Sequence, residues 1–232
     1  MKAKLMQSDR VPQEVLEPKA YPARLVQAIS LGLQPQMAYE GKTKKPVQKI
    51  HLTYEMSDQF MKDEDGKILE NKPRWLGKTM AFYGLGADKS TIYRHYKGLD
   101  FTDELEGDWE KLLGQPCQIT ITKEPRKKKE DGFINYISDV APPISVAGYT
   151  QPELVNDSVL FDIDEPDLKV LEGLPDWLQG EIKGNLEYNG SKLQALLGEK
   201  AKPDPVQDDV PAGNAEPPAP RPPEPPAPDV LQ

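Results

Sequence analysis

The chain has 232 residues, enough for one or two domains. Its 24 prolines are about twice the average share and concentrate at one end. With 37% hydrophobic and 29% charged residues, and no apolar run approaching about 18 residues, the sequence excludes a membrane-spanning helix and a secretory signal. We therefore expect a soluble, cytoplasmic protein.

Cysteine and histidine are scarce. Cys117 is the single cysteine, which rules out an internal disulfide. With only His51 and His95 beside it, the chain offers too few soft ligands for a zinc finger or ribbon. We expect a reducing compartment, no metal and no cofactor.

The net charge of -9 is unevenly distributed along the chain. Residues 19–149 carry 20 Lys and Arg against 18 Asp and Glu, whereas residues 150–200 carry 4 against 11 and residues 201–232 carry 2 against 6. A near-neutral body is therefore followed by an acidic third. Such a segment either solubilises the chain or competes for a basic groove on the same molecule.

Composition divides the chain into four segments. Residues 1–20 are polar and without a sustained period, which predicts a flexible arm, and residues 21–145 hold the patterned body. Residues 146–200 predict an acidic linker with short helices, which either packs on the body or stands apart. Residues 201–232 are rich in proline and acid and have nothing to bury, which predicts a disordered tail. The short helices are expected near residues 168–171, 177–182 and 193–197.

Alternating apolar and polar side chains predict five strands in the body. The first has Tyr21, Leu25, Ile29 and Leu31 on one face. Apolar residues at helical spacing predict two helices between the third and fourth strands, over residues 91–99 and 103–113. The strands are expected over residues 21–33, 49–56, 75–83, 117–122 and 133–140.

This order of elements is typical of the OB-fold, a small, partly open five-stranded barrel, here with a helical insert between strands 3 and 4. In that fold an oligonucleotide lies across strands 2 and 3, between the loop joining strands 1 and 2 and the loop joining strands 4 and 5. The two densest basic runs of the chain fall in these loops. The first loop holds Lys42, Lys44, Lys45 and, at its exit, Lys49; the second holds Lys123, Arg126, Lys127, Lys128 and Lys129.

Two aromatic residues, Trp75 and Tyr83, are out of phase with the apolar face of the third strand. Such a residue is either covered by a neighbouring helix or serves as a stacking platform for bases. Together with the basic loops and His51 on the second strand, the pattern favours stacking. Arg24, Lys78 and Tyr136 complete the predicted nucleic-acid contacts.

A catalytic interpretation is less favoured. Asp167, followed by Glu181 and Lys183, imitates the carboxylates and lysine of a Mg²⁺-dependent nuclease. That chemistry needs a strand hairpin, whereas this segment has a helical period. We therefore predict a protein that is not an enzyme.

Four stretches carry a family resemblance. They are Tyr21-Pro22-Ala23-Arg24-Leu25-Val26, Lys72-Pro73-Arg74-Trp75, Gly107-Asp108-Trp109 before Leu112-Leu113-Gly114, and Phe161-Asp162-Ile163-Asp164-Glu165-Pro166-Asp167 with Leu174-Pro175-Asp176-Trp177. Over about residues 21–197 the chain resembles single-stranded-DNA-binding proteins encoded by tailed bacteriophages. Such proteins often end in dense acid and an aromatic residue, whereas this chain ends in Asp229-Val230-Leu231-Gln232 after a proline-rich run.

The resemblance implies an OB-fold that coats single strands during phage DNA replication or recombination in the host cytoplasm, with protein partners at its C-terminal region. We predict binding of single-stranded DNA without strong sequence preference. The alternatives are an OB-fold protein-interaction module of a phage replisome and, less favoured, the nuclease.

Overall fold

A computed structural model describes residues 13–38, 40–126 and 132–200, and the fold there is mainly β, as predicted. The tail at 201–232, the arm up to residue 12, and Lys127, Lys128 and Lys129 lie outside the described residues. The elements are β1 (Ala20–Gln34), β2 (Val47–Lys62), β3 (Ile68–Ala81), α1 (Thr91–Leu99), α2 (Trp109–Leu112), β4 (Pro116–Pro125), β5 (Phe133–Ala141), β6 (Val159–Phe161), α3 (Leu168–Gly173), α4 (Asp176–Lys183) and α5 (Lys192–Leu196).

Five of the strands form a curled antiparallel sheet in the order β3-β2-β1-β4-β5. β1 pairs with β2 along most of its length, with β4 only over residues 20–24, and in parallel with β6 over residues 27–29. The outer strands β3 and β5 approach each other, and the Nζ of Lys78 on β3 donates to the carbonyl of Ile137 on β5 at 2.7 Å. The sheet is therefore a half-barrel.

Buried apolar side chains form two clusters. The first core fills the inside of the half-barrel and is covered by α1. The second core lies where β6 and the helices α3 to α5 pack against β1. Central members of the first core are Tyr21, Leu25, Ala28, Leu52, Tyr54, Met56, Ile92, Ile119 and Ile137. The second core consists of Ile29, Leu31, Phe161, Leu171, Leu174, Leu178, Ile182 and Leu193.

The expected single apolar face of the first strand is wrong. The pairing of β1 with β2 shifts register between Leu25 and Gln27 and again between Ser30 and Gly32. A one-residue shift turns the following side chains to the opposite face of a sheet. Ile29 and Leu31 therefore leave the first core and belong to the second.

The predicted helix over residues 103–113 is also wrong in its extent, since only α2 is helical there. The carboxylate of Asp100 accepts the backbone N–H groups of Glu104 at 3.0 Å and Leu105 at 3.1 Å. Asp103 has a φ of 60°, in the left-handed region. A side chain that captures nearby backbone donors favours a turn over a helix.

Residues 151–199, whose packing the sequence left open, lie against the sheet. Beside β6 and the second core, the backbone N–H of Leu186 donates to the carbonyl of Leu33 at 2.8 Å, and Gln34 donates to the carbonyl of Glu181 at 2.7 Å. At the other end of the body Leu16, which the sequence assigned to the arm, is buried in the first core. The packed body is therefore longer than the predicted barrel at both ends.

His95 on α1 is fully buried in the body. Its Nδ1 is 2.8 Å from the hydroxyl of Tyr54, while its Nε2 has no hydrogen-bond partner among the described residues. Burial, with smaller contributions from the charges of Lys78 and Arg94, lowers the pKa of His95 to about 3. The folded protein therefore holds this imidazole neutral.

We predict that the protein loses stability as the pH falls below 6.5. The unfolded chain takes up a proton on His95 near that pH and the folded chain does not, so the free energy of unfolding falls by about 1.4 kcal/mol per pH unit for this histidine. Urea unfolding between pH 7.5 and 5 measures the slope. His95→Gln should reduce it, and an unchanged slope in that variant would contradict the assignment.

Candidate nucleic-acid interface

The sheet face turned away from the first core, here called the outer face, carries three pairs of opposed residues on β2 and β3. His51 lies opposite Thr79, Thr53 opposite Gly77, and Glu55 opposite Trp75. The β2 members of these pairs are buried, whereas the β3 members are exposed. The outer face is therefore open along β3 and covered along β2.

Glu55 shows how β2 is covered. Its carboxylate accepts the backbone N–H of Val155 and the side-chain amide of Asn156, both at 2.6 Å. It also accepts the indole N–H of Trp75 at 3.0 Å. One buried carboxylate thus holds the 155–156 segment over β2 and orients Trp75, whose side chain stays 42% exposed.

Farther along the outer face of β2, helix α4 covers His51. Its Nδ1 lies 2.8 Å from the hydroxyl of Thr79, and its ring packs edge-on against Trp177 with centroids 5.1 Å apart. Burial lowers the pKa of His51 to about 4. This imidazole is therefore neutral at pH 7.

Gly77 supplies the space that His51 needs. A Cβ at this position would overlap the Nε2 of His51 and lie 2.8 Å from its Cε1. Trp75 precedes Gly77 by two residues, about 7 Å along the same face of the strand. Trp177, which is 53% exposed, packs against the same His51 ring. We call Trp75, Gly77, Thr79 and Trp177 the β3 strip.

The exposed surface continues from β3 onto β5. Lys78 lies in phase with the core, is only 8% exposed, and places its Nζ 4.5 Å from the centroid of the Tyr136 ring. Because its ammonium also bonds to Ile137, this lysine joins β3 to β5 and does not face solvent. The ring of Tyr136 on β5 remains 38% exposed.

The two predicted basic loops differ in how many of their described cations are exposed. In the loop between β1 and β2, Lys42, Lys44 and Lys45 are exposed. In the hairpin between β4 and β5, Arg126 is exposed, whereas Lys123 forms an ion pair with Glu17 at 2.6 Å. Exposed cations therefore lie in both loops.

Three further residues that were predicted to contact nucleic acid, Arg24, Lys49 and Tyr83, lie outside the basic loops and the β3 strip. The Arg24 guanidinium is buried and donates to the carbonyls of Gly114 and Pro152, both at 2.7 Å, and of Gln151 at 3.1 Å. Lys49 lines a cavity rich in carboxylates. Tyr83 is exposed just beyond the end of β3. Arg24, like His51 and Lys78, is buried and hydrogen-bonded within the protein.

Sequence reasoning missed Trp177 and Gly77 as parts of the surface. Trp177 belongs to a helix whose packing partner could not be identified from its period. Among the residues of the nuclease alternative, the carboxylate of Asp167 accepts the backbone N–H of Lys169 at the start of α3, and Glu181 and Lys183 lie on α4.

Comparison with protein-family models, with curated proteins and with solved structures finds no match for this chain. Within the described residues, no group of three or more His, Cys, Asp or Glu side chains is placed to hold a metal ion. None of the helices in the described ranges is long and apolar enough to cross a membrane.

Replacing Gly77 tests the packing under the β3 strip. Gly77→Ala should displace His51 and with it Trp177, and lower the free energy of unfolding by about 1 to 3 kcal/mol through overpacking. His51→Ala in the same chain should recover most of the loss. Denaturant unfolding of both variants measures this.

The matched control is Gly86→Ala, because a Cβ at Gly86 meets nothing within 4 Å. A loss as large at Gly86 as at Gly77, or no recovery in the double variant, would show that His51 does not occupy the space above Gly77.

Proposed function

We propose that the protein binds single-stranded DNA without strong sequence preference and performs no catalysis. The observation that carries the proposal is the exposed indole of Trp75, held on the outer face by its bond to Glu55. Aromatic rings that stack on bases favour unpaired strands, because bases in a duplex already stack on each other. Trp177 on α4 and Tyr136 on β5 are two further exposed rings.

The sheet supports an OB-type assignment. Its order β3-β2-β1-β4-β5, with β3 and β5 in contact, is that of a partly open five-stranded barrel. We infer that the helices α1 and α2 are its insert between the third and fourth strands. We propose that the DNA path lies over β3 and β5, because the 155–156 segment and α4 cover the outer face of β2.

The exposed cations of the two loops would neutralise phosphates at either side of this path. Lys42 and Lys45 would act from the β1–β2 loop and Arg126 from the β4–β5 hairpin, and Lys127, Lys128 and Lys129 extend the same basic run in the sequence. Such contacts supply affinity without sequence preference. The resemblance to phage proteins adds the role of coating single strands during replication or recombination.

Trp75→Ala should weaken binding of oligo-dT by about 1 to 3 kcal/mol, since one base loses its stacking partner. Trp75→Phe should retain most of the affinity, because it keeps an aromatic face and loses only the indole bond to Glu55. Fluorescence anisotropy of labelled oligo-dT measures both variants.

Phe101→Ala is the control for this experiment, since Phe101 is an exposed ring after α1 and outside the proposed path. Equal affinity in the wild type and Trp75→Ala, or an equal loss in the Phe101 variant, would contradict stacking on Trp75. Circular dichroism of each variant checks that the fold is retained.

The salt dependence of binding tests the loops. Changing Lys42, Lys45 and Arg126 together to Ala should flatten the plot of log K against log salt by about 0.7 for each phosphate that is no longer neutralised. The control changes three exposed lysines elsewhere, Lys89, Lys169 and Lys192, and so removes the same charge. The proposal would fail if the two triple variants changed the slope equally.

A further inference from the structure

A cavity of about 500 Å³ opens at the end of the sheet where the two cores meet. Ile50 and Phe82 line it from the side of the first core, and Phe161 and Ile163 line it from the side of the second. It lies near Lys49 on β2, six residues from the pair of Glu55 and Trp75, or about 20 Å along the strand. The cavity is therefore separate from the β3 strip.

Aromatic rings form part of its wall. Phe82 and Trp109 pack edge to face with centroids 6.4 Å apart, and both border the cavity. Leu160 also lines it and is 36% exposed. A volume in this range accommodates a small molecule or one to a few side chains. Covering its exposed apolar wall with an apolar group is favourable, because it removes apolar surface from water.

The charges around the cavity are mostly negative. Five carboxylates, two of them on Glu110 and Asp164, line it against the single ammonium of Lys49. Asp108, Asp162 and Glu187 each accept a hydrogen bond from neighbouring groups. The exposed carboxylates of Glu110 and Asp164 have no side-chain partner among the described residues. The cavity therefore repels phosphates and attracts a cation.

We propose that this cavity binds an arginine side chain, flanked by apolar residues, from a partner protein. A guanidinium is planar, stacks on aromatic faces and donates two parallel hydrogen bonds to a carboxylate. The Phe82 and Trp109 rings provide the faces, Glu110 and Asp164 provide the acceptors, and Leu160 covers an apolar neighbour. None of the residues of the β3 strip lines this cavity, so arginine binding here does not require DNA binding.

The test titrates the full chain, labelled with ¹⁵N, with an acetylated and amidated peptide of sequence Gly-Leu-Arg-Leu-Gly. The control peptide has citrulline in place of arginine, which keeps the shape and removes the charge. The readout is the indole N–H signal of Trp109, assigned with Trp109→Phe. The arginine peptide should shift this signal and the citrulline peptide should not.

Changing Glu110→Gln and Asp164→Asn together should weaken binding of the arginine peptide about tenfold, as expected when charge-assisted hydrogen bonds are removed. The matched control changes Glu70→Gln and Glu172→Gln, two exposed carboxylates outside the cavity. No shift with the arginine peptide, equal shifts with both peptides, or an equal loss in the control variant would overturn the proposal.

Oligo-dT affinity of the Glu110→Gln, Asp164→Asn variant distinguishes the two proposals. We expect it to equal that of the wild type while arginine binding is weakened. If the variant lost both, the cavity would not be an independent site and the proposal of a separate arginine site would be overturned. If the wild type bound the arginine peptide but no DNA, only the proposed DNA function would fail.

Discussion

Strand β1 is buried on both of its faces, and this burial determines how the other elements pack. Its two register shifts turn Leu25 and Ala28 into the first core and Ile29 and Leu31 into the second. An apolar face of a sheet must be covered by another layer, because exposed apolar surface costs free energy in water. The half-barrel covers one face of β1, and β6 with the helices α3 to α5 covers the other.

This second layer determines where a ligand can reach the sheet. Since α4 packs on β1, Trp177 reaches His51 on the neighbouring strand, and the segment before β6 binds Glu55. The outer face of β2 is therefore covered, and the outer faces of β3 and β5 remain open to a ligand. Three of the five carboxylates that line the cavity beside Lys49, those of Asp162, Asp164 and Glu187, belong to this covering layer.

Much of the sheet could be predicted because strand alternation is a local signal. The five long strands follow from it, and α1 follows from apolar residues at helical spacing. The parity of Lys78 with Leu76 and Met80 was itself a sign that this lysine points inward. The register shifts of β1 could not be predicted, since a bulge moves the following side chains to the other face of the sheet and the alternation in the sequence does not show where this happens. The turn after Asp100 could not be predicted either, because it depends on the carboxylate of Asp100 accepting hydrogen bonds from the backbone N–H groups of Glu104 and Leu105.

The candidate site was harder to predict than the sheet, because it depends on which surfaces are covered. His51 and Glu55 have the parity of the outer face, and only the packing of residues 151–199 shows that they are buried. Trp177 becomes part of the surface for the same reason. The short helices carry an apolar stripe, but a stripe does not identify the surface against which it packs.

Photo-crosslinking of the full chain to a single-stranded oligonucleotide containing 5-iododeoxyuridine, mapped by mass spectrometry, locates the surface that contacts DNA. We expect adducts chiefly on Trp75 of β3, Tyr136 of β5 and Trp177 of α4. Adducts confined to rings elsewhere, such as Phe101 or Tyr149, or no adducts at salt concentrations where the oligonucleotide binds, would contradict this expectation.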